Sequence, residues 1–238
     1  MTAKVRPLSE AALLDLWEAG EPCQWLDRAL LMLWATGAAD AADADPALAD
    51  WPIGARDAAL LQARRRLFGA QLQATADCPA CAERMAFDLD LDALAAEATP
   101  AARDAQVRCR AGQFRLPTSR DLALAVGTAQ PRHALAARCR IDAADLPLDD
   151  AALDELDAAF AAADPAAQID IGLQCAACGN SFSALFDVAD CLWSDVARTA
   201  RQTLDDVHLL AGAYGWSEAE VLAVPPARRQ HYLQRVTA

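Results

Sequence analysis

The chain is almost without lysine. Lys4 is the only one, and arginine supplies the remaining basic side chains, a bias that reads as genomic base composition more than function. Positive charge is scarce overall: 238 residues carry a formal net charge of -13, with a sequence pI near 4.5. Phosphate backbones and anionic lipid repel such a chain, which counts against nucleic-acid and membrane-surface roles. Histidine is nearly absent too. His133, His208 and His231 stand alone, without a carboxylate or cysteine at metal-ligand spacing. There is no G-x-S-x-G, P-loop, G-x-G-x-x-G or H-E-x-x-H, so no enzyme is expected and no small-molecule substrate is implied. No run of 18 or more apolar residues occurs. The first residues, Met1 to Pro7, lack the apolar stretch and small-residue cleavage site of a signal peptide. A cytoplasmic location is the expectation, and with it reduced thiols.

Against these absences stand eight cysteines. Four of them form two pairs, Cys78-Pro79-Ala80-Cys81 and Cys175-Ala176-Ala177-Cys178-Gly179. A C-x-x-C turn brings two thiolates to one metal ion, and two such turns complete a tetrahedral set of four sulfurs. Cys78, Cys81, Cys175 and Cys178 are therefore the expected ligands of one structural Zn2+. The gap between the pairs is far longer than a small zinc finger uses, so the ion would join distant parts of the sequence around a large insertion. A redox pair would need its first cysteine at a helix N-terminus, where the thiol pKa falls. Strand-like sequence follows both pairs instead. Cys23, Cys109, Cys139 and Cys191 are scattered singly and read as small buried hydrophobes.

Apolar periodicity supplies the rest of the outline. Ser9 caps a helix bearing Leu13, Leu14, Leu16 and Trp17, and Gly20-Glu21-Pro22 breaks it. Trp25, Leu26, Ala29, Leu30, Leu33 and Trp34 mark a second helix. Residues 38–52 read as an acidic loop and 54–69 as a helix closed by Gly69. Strands flank both cysteine pairs: Leu72–Thr75 and Met85–Leu91 around the first, Ile169–Gln174 and Phe182–Val188 around the second. Each exit strand ends in a Phe-Asp pair (Phe87-Asp88, Phe186-Asp187); its spacing from the knuckle differs by two residues, so the internal repeat is weak. A hairpin is expected over Gln106–Leu116, then a short helix with Thr118 and Asp121 as a capping pair. Residues 128–150 read as irregular, 150–163 as a helix. Helices fill the end of the chain: about 189–213, one opened by the Ser217–Glu220 capping box, and one after Pro225-Pro226. The fold class is α+β, mostly helical: a split four-cysteine zinc ribbon with N-terminal helices and a C-terminal helical bundle. The expected division is 1–70 helical, 71–188 split ribbon with inserted hairpin and helices, and 189–238 helical. Arg64-Arg65-Arg66 and Arg228-Arg229 are the basic clusters and read as solvated helix faces or protein contacts, without an interleaved aromatic platform. The six tryptophans mostly fall at core spacing.

An ordered set of signatures carries a resemblance. It starts with Ile53-Gly54-x-Arg56-Asp57-x-x-Leu60-Leu61, Phe68-Gly69 and Cys78-Pro79-x-Cys81-x-Glu83. Leu116-Pro117-Thr118-Ser119-Arg120-Asp121-Leu122 and Cys175-x-x-Cys178-Gly179 follow. Val207-His208-x-Leu210-Ala211-x-x-Tyr214-Gly215-Trp216-Ser217-Glu218 and Pro226-x-Arg228-Arg229-x-x-Tyr232-Leu233 complete it. Over roughly 53–236 the chain resembles the zinc-ribbon-containing baseplate hub assembly chaperones of contractile phage tails and phage-tail-like contractile injection systems. It departs from them at Ala176-Ala177, where a proline is expected, and at Glu83, within a turn expected to be Cys-Gly. The resemblance implies a cytoplasmic, non-enzymatic assembly chaperone or adaptor. Its partners would be baseplate hub and spike proteins, with no nucleic acid, membrane or small molecule. Only the four cysteines carry over as a site. The alternative from another class is a zinc-ribbon nucleic-acid-binding adaptor; a C-x-x-C redox protein is a third.

Overall fold

The computed structural model describes residues 8–37, 46–142 and 146–237. The loop expected at 38–52 and the irregular stretch expected at 128–150 fall partly outside these residues. Two helices begin the described chain, α1 (Glu10–Gly20) and α2 (Trp25–Ala35). Ser9 caps α1, its hydroxyl accepting the Ala12 N–H at 3.2 Å. Helix α3 (Ile53–Phe68) ends at Gly69, whose φ of 88° only glycine adopts freely. Strands β1 (Gln71–Asp77) and β2 (Arg84–Asp90) pair antiparallel and lead into α4 (Leu91–Glu97).

The insertion follows. It comprises the β3 (Gln106–Cys109) and β4 (Gly112–Arg115) hairpin, α5 (Ser119–Ala125), α6 (Pro131–Cys139) and α7 (Asp150–Ala163). Thr118 and Asp121 form the expected reciprocal capping box on α5. After a short 3-10 turn, β5 (Asp170–Gln174) and β6 (Ser181–Leu185) pair antiparallel. Helix α8 (Val188–Tyr214) stops at left-handed Gly215. Helices α9 (Glu218–Ala223) and α10 (Pro226–Val236) close the described chain. The architecture is α+β and mostly helical, with small two-stranded antiparallel sheets.

The main core joins sequence-distant elements. Leu13 and Leu16 of α1, Met32 and Leu33 of α2, and Leu60 and Leu61 of α3 pack with Leu192 and Val196 of α8. A second cluster holds the insertion together, with Phe114, Cys139, Leu153 and Leu156 fully or almost fully buried. A third is small: Leu210, Val221 and Leu233, at the α8–α10 end.

One seam ties the insertion to the core. The Ile53 N–H donates to the Pro117 carbonyl at 3.1 Å, and Arg56 donates to the Ser119 hydroxyl at 3.0 Å. Buried Asp164 accepts the N–H groups of Gly54 and Ala101, each at 3.0 Å. A Cβ on residue 54 would stand 2.0 Å from the Asp164 carboxylate, so only glycine fits there.

Four sequence expectations need correction. The stretch expected to be irregular contains α6, started by Pro131 at its first position, where the missing N–H costs nothing. Trp25 and Trp34 are exposed (48% and 65%), not core; among the tryptophans only Trp51 and Trp193 are buried. Arg64 is buried and not solvated: it donates to Asp195 at 2.9 Å and to the Gly69 and Gln71 carbonyls at 2.6 and 3.0 Å. Arg229 is likewise buried, between Glu10 and Asp206.

Candidate metal centre

Both cysteine pairs lie at hairpin tips, and the tips have the same design. In the first, Asp77 pairs with Arg84 and six residues turn between them; in the second, Gln174 pairs with Ser181 around another six. The Cys78 N–H donates to the Glu83 carbonyl at 2.9 Å, and the Ala82 N–H donates back to the Cys78 carbonyl at 2.8 Å. The second tip repeats this: Cys175 N–H to the Asn180 carbonyl at 2.8 Å, Gly179 N–H to the Cys175 carbonyl at 2.8 Å. The residue after the second cysteine is left-handed in both, Ala82 at φ 58° and Gly179 at φ 76°. Such a turn aims successive backbone N–H groups inward. Those of Ala80 and Cys81 point at the Cys78 sulfur, that of Glu83 at Cys81 and that of Asn180 at Cys178.

The equivalence runs beyond the tips. Asp90 caps α4, accepting the N–H groups of Asp92 and Ala93, and Asp187 caps α8, accepting that of Asp190. Each capped helix buries its first residue, Leu91 or Val188, in the main core. Leu89 and Phe186, just before the caps, pack on the same core. The repeat is therefore strand, knuckle, strand, aspartate cap and helix, with Asp90 matching Asp187. The two-residue difference in spacing of the Phe-Asp pairs follows from this: Asp90, and not Asp88, is the counterpart of Asp187.

The two tips meet through their cysteines. Cys78 Sγ lies 3.7 Å from Cys178 Sγ, and Cys81 Sγ lies 3.7 Å from Cys175 Sγ. All four sulfurs lie within 4.8 Å of one another. The pairing is reciprocal: the first cysteine of each knuckle faces the second of the other. Burial follows the same pattern, with Cys78 and Cys175 buried and Cys81 and Cys178 exposed. Metal–sulfur bonds of about 2.3 Å place tetrahedral thiolates about 3.8 Å apart, so the two 3.7 Å edges suit a four-coordinate ion. All four sequence-predicted ligands are thus brought together, and the cluster can hold a metal ion.

The electrostatics favour a cation. Desolvation pushes the Cys78 thiol up, but the N–H groups of Ala80 and Cys81 outweigh it and bring the pKa down to about 7. The Glu83 N–H favours the Cys81 thiolate, yet the neighbouring sulfurs push that pKa up to about 12. The first thiolate forms readily; further ones repel it unless a positive charge sits among them. Among the described residues, no histidine or carboxylate joins the cluster. His208 and His231 are exposed and His133 is half-buried. Cys139 lies apart in the insertion core, where burial pushes its thiol up to about 12.

Comparison with family models, characterised proteins and solved structures finds no match. Among the described residues, no helix is long and apolar enough to cross a membrane.

Proposed function

We propose that the chain is a non-enzymatic assembly chaperone or adaptor for the baseplate hub of a contractile phage-tail-like injection system. One structural zinc ion holds its split ribbon together. Four sulfurs, two pairs of them 3.7 Å apart, with no further ligand among the described residues, suit zinc in a closed site, which adds folding energy and leaves no position for substrate. The observation that carries the reading is how the resemblance signatures lie in space. Ile53, Gly54 and Arg56 meet Pro117 and Ser119 along one seam, and the two cysteine signatures meet at the sulfur cluster. They support a shared scaffold that presents protein surfaces, in a reducing cytoplasm.

Two experiments test the reading at separate levels. Elemental mass spectrometry of the purified chain is expected to find one zinc per chain; none, or iron with a visible thiolate-to-metal absorption, would overturn the zinc assignment. Affinity capture with the hub and spike proteins of a contractile system is expected to recover the chain. Association with neither would overturn the chaperone assignment even if zinc is present. Salt-sensitive retention on DNA or RNA would favour the nucleic-acid adaptor instead.

A further inference from the structure

The last helix reverses the charge of the chain. No Asp or Glu follows Glu220, while Arg228, Arg229, His231 and Arg235 all do. Arg229 turns inward to Glu10 and Asp206. Arg228, His231 and Arg235 are exposed, and their spacing of three and seven residues puts them along one face of α10. No ion pair engages Arg228 or Arg235 among the described residues. By contrast, Arg84, Arg110, Arg120 and Arg132, also on the surface, each hold an aspartate.

An aromatic surface borders this basic face. Tyr232 lies between the exposed arginines and the buried side of α10, where Leu233 packs. Its ring meets Tyr214 edge-on at 5.7 Å and Trp216 edge-on at 5.1 Å; Tyr214 stacks on Trp216 at 5.0 Å. The rings touch one another, so they form a platform and not a cage around a cation. Tyr214 is 41% exposed and Leu209, one turn before the end of α8, is 38% exposed. The platform stands on the smallest of the three core clusters. This platform is hidden in the sequence, because Tyr214 and Trp216 meet Tyr232 only through the α8–α10 fold.

We propose that this surface, Arg228, His231 and Arg235 flanked by Tyr214, Trp216 and Tyr232, docks an acidic segment of a partner protein that also carries apolar side chains. Charge decides the occupant. Arginine and large aromatics are the side chains that dominate protein interfaces, and a cationic face attracts carboxylates. The strongly negative remainder of the chain, Glu218 and Glu220 on neighbouring α9 included, disfavours a phosphate polymer. A short acidic segment needs to cover only the patch. The surface lies outside the sulfur cluster and is independent of the baseplate reading.

Fluorescence anisotropy of the full, zinc-loaded chain tests this. The probe is a fluorescein-labelled peptide of alternating glutamate and leucine, at about 50 mM salt, where surface charges are screened only beyond about 14 Å. Saturable binding is expected, with a change in tryptophan emission. Arg228→Glu/Arg235→Glu is expected to weaken it about tenfold or more, since it replaces attraction by like-charge repulsion. Tyr214→Ala is expected to weaken it several-fold. All three side chains are exposed, so thermal melting should show the variants folded. Absence of saturable binding, or binding that the double variant leaves unchanged, would overturn the proposal. So would tighter binding of a single-stranded oligothymidine, lost in the same double variant, which would assign the patch to nucleic acid. A concentration-dependent dimer that the double variant dissolves would overturn it in favour of a second copy of the chain.

Discussion

The two hairpin units of the ribbon share a turn, a cap and a core, yet they carry different loads. The first unit leads into α4, seven residues long; the second leads into α8, 27 residues long and packed on α1, α2 and α3. Apart from the sulfur cluster, what binds unit one to unit two is the shared core and a buried ion pair. Arg64, at the end of α3, holds the carbonyls leading into β1 with one nitrogen and Asp195 on α8 with another. The geometry of a knuckle is thus local, but its stability depends on what lies across the cluster.

The sulfur cluster is the largest link. Structural zinc in such sites contributes on the order of 10 kcal/mol, and a whole domain is stable by about 5–15 kcal/mol. Cys78→Ser and Cys175→Ser are each expected to lose the metal and unfold or aggregate the ribbon, read by zinc content and thermal melting. If the knuckles share one ion, as proposed, damage to either unit is expected to release it equally. If one variant kept its zinc and its melting temperature, the units would not share an ion. Cys139→Ala removes one sulfur from the insertion core and should retain full zinc.

Arg64 is the next link. Arg64→Met leaves Asp195 buried with only Arg198 to answer it, and frees the Gly69 and Gln71 carbonyls. Loss of one partner of a buried pair costs about 3–5 kcal/mol. A fall of that size in urea unfolding free energy, with zinc still bound, is the expected outcome. A change under about 1 kcal/mol, the scale of an exposed pair, would show that core packing and the sulfur cluster join the units without help from this pair.

The insertion supplies a contrast in pH. Burial alone would raise the Asp121 carboxyl. Two bonds from Arg115, at 2.5 and 2.9 Å, and those from Thr118 outweigh it and hold the pKa at about 2, below the ordinary 3.8. A depressed folded-state pKa gives stability that is present above the ordinary value and lost as pH falls through the folded one. Melting temperature should therefore drop between about pH 4 and pH 2, and Asp121→Asn should flatten that slope while lowering stability at pH 7. An unchanged slope in the variant would remove Asp121 from the cause.

Much of this was legible in the sequence, for physical reasons that differ by element. Cysteine pairs state their ligand chemistry directly, so the four-sulfur cluster is readable although 93 residues separate Cys81 from Cys175. Capping boxes are local, so Thr118–Asp121 and Ser217–Glu220 are readable too. Buried arginines are harder, because a basic run suggests solvent. Yet Arg64 lies four residues after Leu60, on the same face of α3, and that phase was the available signal. Trp25 and Trp34 mislead in the opposite sense, since large apolar side chains at helical spacing do not reveal whether another element covers them. The register of the repeat is half legible: Phe87-Asp88 resembles Phe186-Asp187 in type, and the two-residue mismatch in spacing is the signal that Asp90, not Asp88, stands with Asp187 where a helix begins.

The smallest effect tests the likeness of the two turns most directly. Position four after the first cysteine is left-handed in both, yet one knuckle uses Ala82 and the other Gly179. A Cβ in that region costs roughly 1–2 kcal/mol. Nothing crowds Gly179 within 4 Å, so the backbone angle, and no clash, sets the cost of a side chain there. Ala82→Gly should relieve this strain in unit one, offset in part by the greater freedom of glycine in the unfolded chain, for a net gain of about 0.5 kcal/mol. Gly179→Ala should impose the strain on unit two and lose about 1 kcal/mol. Opposite signs in chemical denaturation, with zinc content unchanged in both, are what equivalent turns require. If both variants were destabilised, the first knuckle would be using its Ala82 methyl for packing, and the likeness would stop at the backbone.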